Sequence, residues 1–152
     1  MILNRQRRVA VDIKPLEAFL ARVQESLRLP HRDVTVCLVS DAAMARLNLT
    51  FRGKDTPTDV LCFPVNGATL MRSSTKSAKN RSRTLAASYL GDIAISPQTA
   101  LRNSHRFSRG LSEELRILIL HGMLHLAGHD HETDQGQMDR LEGRLRRRLG
   151  LA

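Results

Sequence analysis

The sequence predicts an α+β fold, a small mixed sheet of about four strands covered by about five helices in a single domain spanning residues 1–152. Three observations carry this expectation. Apolar spacing alternates along the chain between the helical period and the strand period, in the order helix, strand, helix, strand, strand, helix, helix, helix. The 152 residues are enough for one core, burying about two-thirds of the unfolded surface. With 41% apolar but only 3% aromatic residues, that core must rest on aliphatic side chains and methionine.

Residues 2–11 alternate loosely and read as an edge strand, with Asn4 to Arg8 outside. Leu16, Phe19, Leu20, Val23 and Leu27 then recur at helical spacing between Pro15 and Pro30, which marks a core-facing helix. Asp33 to Val39 alternates like a half-buried strand. Ser40 or Asp41 can cap a helix running to about Thr50, with Met44 and Leu47 inward. Arg52 to Asp59 is loop by composition, and Val60 to Val65 is strand.

The stretch 68–84 holds five basic residues, Arg72, Lys76, Lys79, Arg81 and Arg83, and no acidic one. Rich in serine and threonine, it reads as a mobile inserted loop, suited equally to touching RNA or to spacing strands. Leu85 to Ile95 is strand, with Gly91 permitting a bulge or a close backbone approach. Ser96-Pro97 starts a helix to about Phe107 that carries His105 on its surface. Ser112, with Glu113 and Glu114 behind it, is placed to cap the next helix. The last helix stripes Met138, Leu141, Leu145 and Leu149 inward and ends in Arg146-Arg147-Arg148.

Twenty-four Lys and Arg against 15 Asp and Glu give +9. Such an excess favours polyanionic partners through counterion release, and equally serves solubility. Cys37 and Cys62 lie in strand-like runs without Cys-x-x-Cys spacing and read as core thiols. No segment reaches the roughly 20 apolar residues of a membrane span and no signal-peptide pattern opens the chain, so a cytoplasmic location is expected. Without tryptophan or an aromatic cluster, base stacking on an aromatic platform is not expected.

The chemistry concentrates in His121-Gly-Met-Leu-His125-Leu-Ala-Gly-His129-Asp130-His131. Two histidines four residues apart project from one helix face, so both imidazoles can reach one ion. Gly128 can end the helix in the left-handed conformation and return His131 toward that face. Zinc held by His121, His125 and His131 would keep one position open, lowering the pKa of water there from about 15.7 to roughly 7. His129 reads as an outer or solvent-facing group. The spacing is close to the His-Glu-x-x-His helix of zinc peptidases, yet Gly122 occupies the place of the general base. A zincin-like metallopeptidase is therefore the weaker alternative.

Residues 121–131 fit the signature of the YbeY family of bacterial endoribonucleases and rRNA maturation factors, which this sequence resembles from about residue 34 onward. Phe51-Arg52-Gly-Lys54-Asp55-Thr-Pro57-Thr58-Asp59-Val60-Leu61-Cys62-Phe63-Pro64 and Leu90-Gly91-Asp92-Ile93-Ala-Ile95 match two further family stretches. Cys62 stands where the family usually has serine, and the segment between Pro64 and Leu90 is more basic.

The resemblance implies a metal-dependent hydrolase domain with one Zn2+ per chain. Its activity would be that of a single-strand-specific endoribonuclease in rRNA maturation, at the small-subunit 3′ end, and in ribosome quality control. Arg52 and His121 would be catalytic, and the partners would be rRNA and the small ribosomal subunit, with ribosomal proteins or an assembly GTPase. A ribosome-assembly factor whose metal is structural is the other alternative. Asp59 and Asp92 adjoin strand ends and read as structural or ligand-orienting carboxylates. Asp130 and Glu132 lie near the site in sequence but single out no general base.

Overall fold

A computed structural model describes residues 1–65, 89–129 and 134–151. Its described elements are β1 (Ile2–Asn4), α1 (Ile13–Ser26), β2 (Asp33–Leu38), α2 (Asp41–Arg52), β3 (Val60–Pro64), β4 (Tyr89–Ile95), α3 (Pro97–Arg106), α4 (Leu111–Leu126) and α5 (Gln137–Arg148). The four strands form one mixed sheet in the order β1-β2-β4-β3. β1 and β4 both run parallel to β2, whereas β3 pairs antiparallel to β4 at the opposite edge. This is the α+β architecture expected, five helices on four strands among the described residues.

Alternation along β2 assigns the two faces. Val34, Val36 and Leu38 join Ile93 and Ile95 of β4 in the main core, against Leu16, Phe19, Leu20 and Val23 of α1 and the run Leu115 to Leu126 of α4. Cys37 and Val39 point the other way, where Met44 and Leu47 of α2 pack with Leu61 and Ala94. Met138, Leu145 and Leu149 fasten α5 to the main core. Aliphatic residues and methionine carry nearly all of this burial, as the composition requires.

Several boundaries differ from expectation for identifiable reasons. β1 stops at Asn4 because the Gln6 side-chain amide takes over the backbone: its Nε2 donates to Val9 O at 2.8 Å and its Oε1 accepts from Val9 N at 2.9 Å. α1 begins two residues before Pro15, capped by Asp12. α2 continues through Arg52, so this arginine ends a helix rather than opening a loop; Gly53 at φ 70° then closes the turn. β4 is described from Tyr89, and residues 85–88, like the stretch 68–84, lie outside the described residues.

The start of α4 is not capped by Ser112. Its N-cap is Gly110, which offers no side-chain cap, and Ser112 is exposed within the first turn. Glu114 instead turns inward, 3% exposed, and pairs with Arg109 at 3.3 Å. The positive end of the helix dipole and this arginine both favour its charge. Burial outweighs them: it raises the Glu114 carboxyl above its usual 4.5, with Arg109 opposing and Asp59 adding to the rise.

Because the folded state holds the Glu114 proton more tightly than the unfolded chain, this carboxyl's contribution is fully present below its unfolded pKa and is lost as pH rises through the folded one. We expect Glu114→Gln, which cannot ionise, to gain in melting temperature relative to wild type as pH rises from about 4 to about 8. A constant difference across that range would show that burial does not govern this carboxyl.

Candidate metal centre

His121 and His125 stand one turn apart on the last stretch of α4, and their side chains converge. The two Nε2 atoms are 3.1 Å apart, with ring centroids at 4.7 Å and planes inclined at 71°. Zinc–imidazole bonds of about 2.0–2.1 Å put two nitrogens of one tetrahedral ion about 3.3 Å apart. The pair is therefore spaced as two ligands of a common cation would be. Both rings are half-buried.

The other nitrogen of His121 is also engaged. Nδ1 lies 3.1 Å from Oε2 of Glu142 on α5, and Oε1 of the same carboxylate lies 3.4 Å from Arg146 Nη2. Sequence reading missed Glu142, which is 21 residues away on another helix. A histidine that binds metal through Nε2 characteristically donates Nδ1–H to a carboxylate, which is the contact a ligating His121 would make here.

Gly128 ends α4 in the manner expected. It adopts φ 100°, its N–H donates to His125 O, and His129 N–H donates to Leu124 O, the paired bonds of a Schellman motif. His129 is half-buried at that turn. His131, Asp130 and Glu132 lie outside the described residues. Among the described residues, no group of three or more His, Cys, Asp or Glu is arranged to hold an ion.

Gly122 has a steric reason. A Cβ built there would lie 2.8 Å from Cδ1 and 2.9 Å from Cγ2 of Ile93, a fully buried residue of β4. The branched Ile93 has little freedom to yield. A glutamate at this position would therefore be driven into the sheet, and the peptidase base is excluded by packing as well as by sequence.

Arg52 occupies a different part of the molecule. It lines a groove of about 1040 Å³ on the α2 side of the sheet, together with Phe51, Phe63, Thr35, Tyr89 and Asp92; neither His121 nor His125 lines it. That volume is at the upper end of small-molecule pockets and is roomy enough for part of a polymer. Phe51 is 50% exposed and meets Phe63 edge-on at 4.9 Å. The fold thus assembles an aromatic pair that composition did not suggest, since it joins a helix end to a strand.

The two aspartates separate. Asp59 is structural: Oδ1 accepts from Val60 N at 2.8 Å and Oδ2 from Asn103 Nδ2 at 3.2 Å, tying the start of β3 to α3. Asp92 is exposed in the groove and accepts from the Tyr89 hydroxyl, which also lies 3.0 Å from Thr35 Oγ1. Burial, reinforced by the Asp92 contact, raises the Tyr89 phenol and keeps it a donor. Both cysteines are free and half-buried; burial raises the Cys37 thiol and pushes Cys62 up to about 12, with Asp59 adding to the latter. Neither favours the thiolate form that a ligand or nucleophile requires.

Residues 1–150 match the family described as Endoribonuclease YbeY. An endoribonuclease YbeY of Koribacter versatilis is 38% identical over 151 residues, covering 99% of this chain and 86% of the relative. That of Solibacter usitatus is 38% identical over 136 residues, covering 90% and 78%. A protein of Thermotoga maritima with a known solution structure superposes with a TM-score of 0.62 at 27% identity, over 98% of this chain and 89% of that one.

The contact between Gly122 and Ile93 generates a stability prediction. Alanine is favoured over glycine inside a helix by about 1 kcal/mol, yet we expect Gly122→Ala to lower stability by about 1–3 kcal/mol through overpacking. Adding Ile93→Val, which removes one of the two clashing methyl groups, should recover part of the loss in thermal unfolding. A Gly122→Ala protein as stable as wild type would show that close packing is not what requires glycine.

Proposed function

This chain belongs to the endoribonuclease YbeY family, and from that we propose that it is a zinc-dependent endoribonuclease. Its substrate would be single-stranded RNA, cut during small-subunit rRNA maturation and ribosome quality control in the cytoplasm. The observation that carries the metal part of this reading is the 3.1 Å approach of two Nε2 atoms backed by a carboxylate on Nδ1. His121, His125 and, by its place in the motif, His131 would hold the ion. When bound, such an ion supplies Lewis-acid polarisation and a lowered pKa of water.

The chain's own residues account for the rest. Arg52, exposed at the C-terminus of α2, can grip two phosphate oxygens at once, which lysine cannot do. It would steady charge that grows on the phosphate during cleavage. On α5, Arg140, Arg144, Arg147 and Arg148 are exposed at spacings that place them along one face. Met138, Leu145 and Leu149 hold the opposite face in the core, so this helix presents a cationic rail beside the histidine pair.

The groove itself is not a cationic channel. Its described charged residues are Asp33, Asp92 and Arg52, so the attraction for a polyanion would come chiefly from α5. The exposed Phe51 ring offers a surface on which an unpaired base can stack, consistent with a preference for single strands. No described helix is long and apolar enough to cross a membrane.

The test is cleavage of a single-stranded rRNA fragment by the zinc-loaded protein, before and after chelation, alongside folded His121→Ala and Arg52→Ala variants. We expect chelation or His121→Ala to abolish cleavage and Arg52→Ala to slow it by about 10²–10³-fold. Unchanged cleavage after chelation and in His121→Ala would overturn metal dependence. A metal-loaded Arg52→Ala protein cutting at the wild-type rate would remove Arg52 from the chemistry.

A further inference from the structure

We infer that Glu142 is a positioning residue of the metal centre: through Oε2 it fixes His121 as the Nδ1–H tautomer with its Nε2 lone pair directed at the site. The inference rests on the metal reading above and adds a residue from outside the histidine motif.

An ionised carboxylate only accepts hydrogen bonds. At 3.1 Å from Glu142 Oε2, His121 Nδ1 must therefore carry the proton, and in the neutral ring Nε2 is left as the bare nitrogen. That nitrogen is the one that lies 3.1 Å from His125 Nε2. The hydrogen bond thus selects the tautomer that can bind a cation at the point where the two rings converge. It also fixes the rotation of the ring about its bond to the chain.

The carboxylate is itself held. Arg146, one turn further along α5, lies 3.4 Å from Oε1, so each oxygen has its own partner. The Glu142 side chain is 12% exposed and that of His121 26%. Little water is available to replace the contact, and a partly dry charge-assisted hydrogen bond is stronger than one on the surface. α5 is anchored through Met138 and Leu145, which are 0% and 5% exposed, so the carboxylate is presented from a rigid element.

Zn2+ affinity, measured by competition with a chromophoric chelator on metal-stripped full-length protein, tests this. We expect Glu142→Ala to weaken Zn2+ binding about 10- to 100-fold and Glu142→Gln, which keeps an acceptor oxygen but no charge, to fall between. Arg146→Met, which removes the partner of Oε1 but leaves the carboxylate on His121, should weaken Zn2+ binding less than Glu142→Ala does. Long-range 1H–15N spectra of the metal-free protein should show His121 protonated on Nδ1 in wild type and a mixture of tautomers in Glu142→Ala.

A merely structural role for Glu142 predicts a lowered melting temperature with affinity and tautomer unchanged, and that result would overturn the inference. Stoichiometric Zn2+ binding by wild type with equal affinity in Glu142→Ala would overturn it while leaving the metal reading intact. No Zn2+ binding by wild type would overturn both.

Discussion

Everything at the histidine pair depends on how closely α4 lies against β4. At Gly122 the helix meets Ile93 with no room for a Cβ, and at Gly91 the sheet receives Leu126 of the same helix while passing close to the Phe63 carbonyl. Two glycines, one on each element, set the distance and the rotation of the helix. With about 100° between successive residues, a helix whose position 122 faces the sheet turns positions 121 and 125 to the same flank. They lie about 100° and about 60° away from the sheet direction. That flank is the seam with α5, and it is where Glu142 meets His121. The geometry of the pair is thus a consequence of core packing, and a larger residue at 122 would rotate or lift both imidazoles together.

The sheet order gives the second constraint. β3 is at the edge among the described strands, with Leu61 and Phe63 packed toward α2 and Val60 and Cys62 toward the main core. The groove containing Arg52 and the helix carrying the histidines therefore lie on opposite faces of the same edge. On the proposed reading, an RNA strand would bring its phosphate around this edge, with unpaired bases toward Phe51 and the arginine rail of α5 supplying the long-range attraction. Separation of charge fits this division, since the described groove residues include two carboxylates and one guanidinium while the exposed face of α5 carries four arginines.

Local signals made much of this visible in the sequence. The four-residue spacing of His121 and His125, the terminating Gly128 and the apolar run before them are encoded within one helix, so reading the period was enough to place both imidazoles together. The same holds for the inward faces of α1 and α5. What escaped depends on contacts distant in the chain. Glu142 reads as one more charged residue on a polar helix until α5 is docked against α4. Phe51 and Phe63 become a pair only when a helix end meets a strand. The cap at Ser112 and the long first strand failed for a related reason: a buried Glu114–Arg109 pair and the bridging Gln6 amide replaced the local preference, and neither has a sequence signature.

The same dependence bears on whether an ion at this site would hold the fold together or act on a substrate. Structural zinc is needed where a small chain lacks a sufficient core, and such chains unfold without it. Here the main core runs through α1, β2, β4, α4 and α5 without recruiting either histidine. On the proposed reading, an ion held by the pair would leave this core packing as it is. A centre that adds nothing to the core would be poorly suited to be a staple. It would instead present a charge near the surface, as a site that works on phosphate requires.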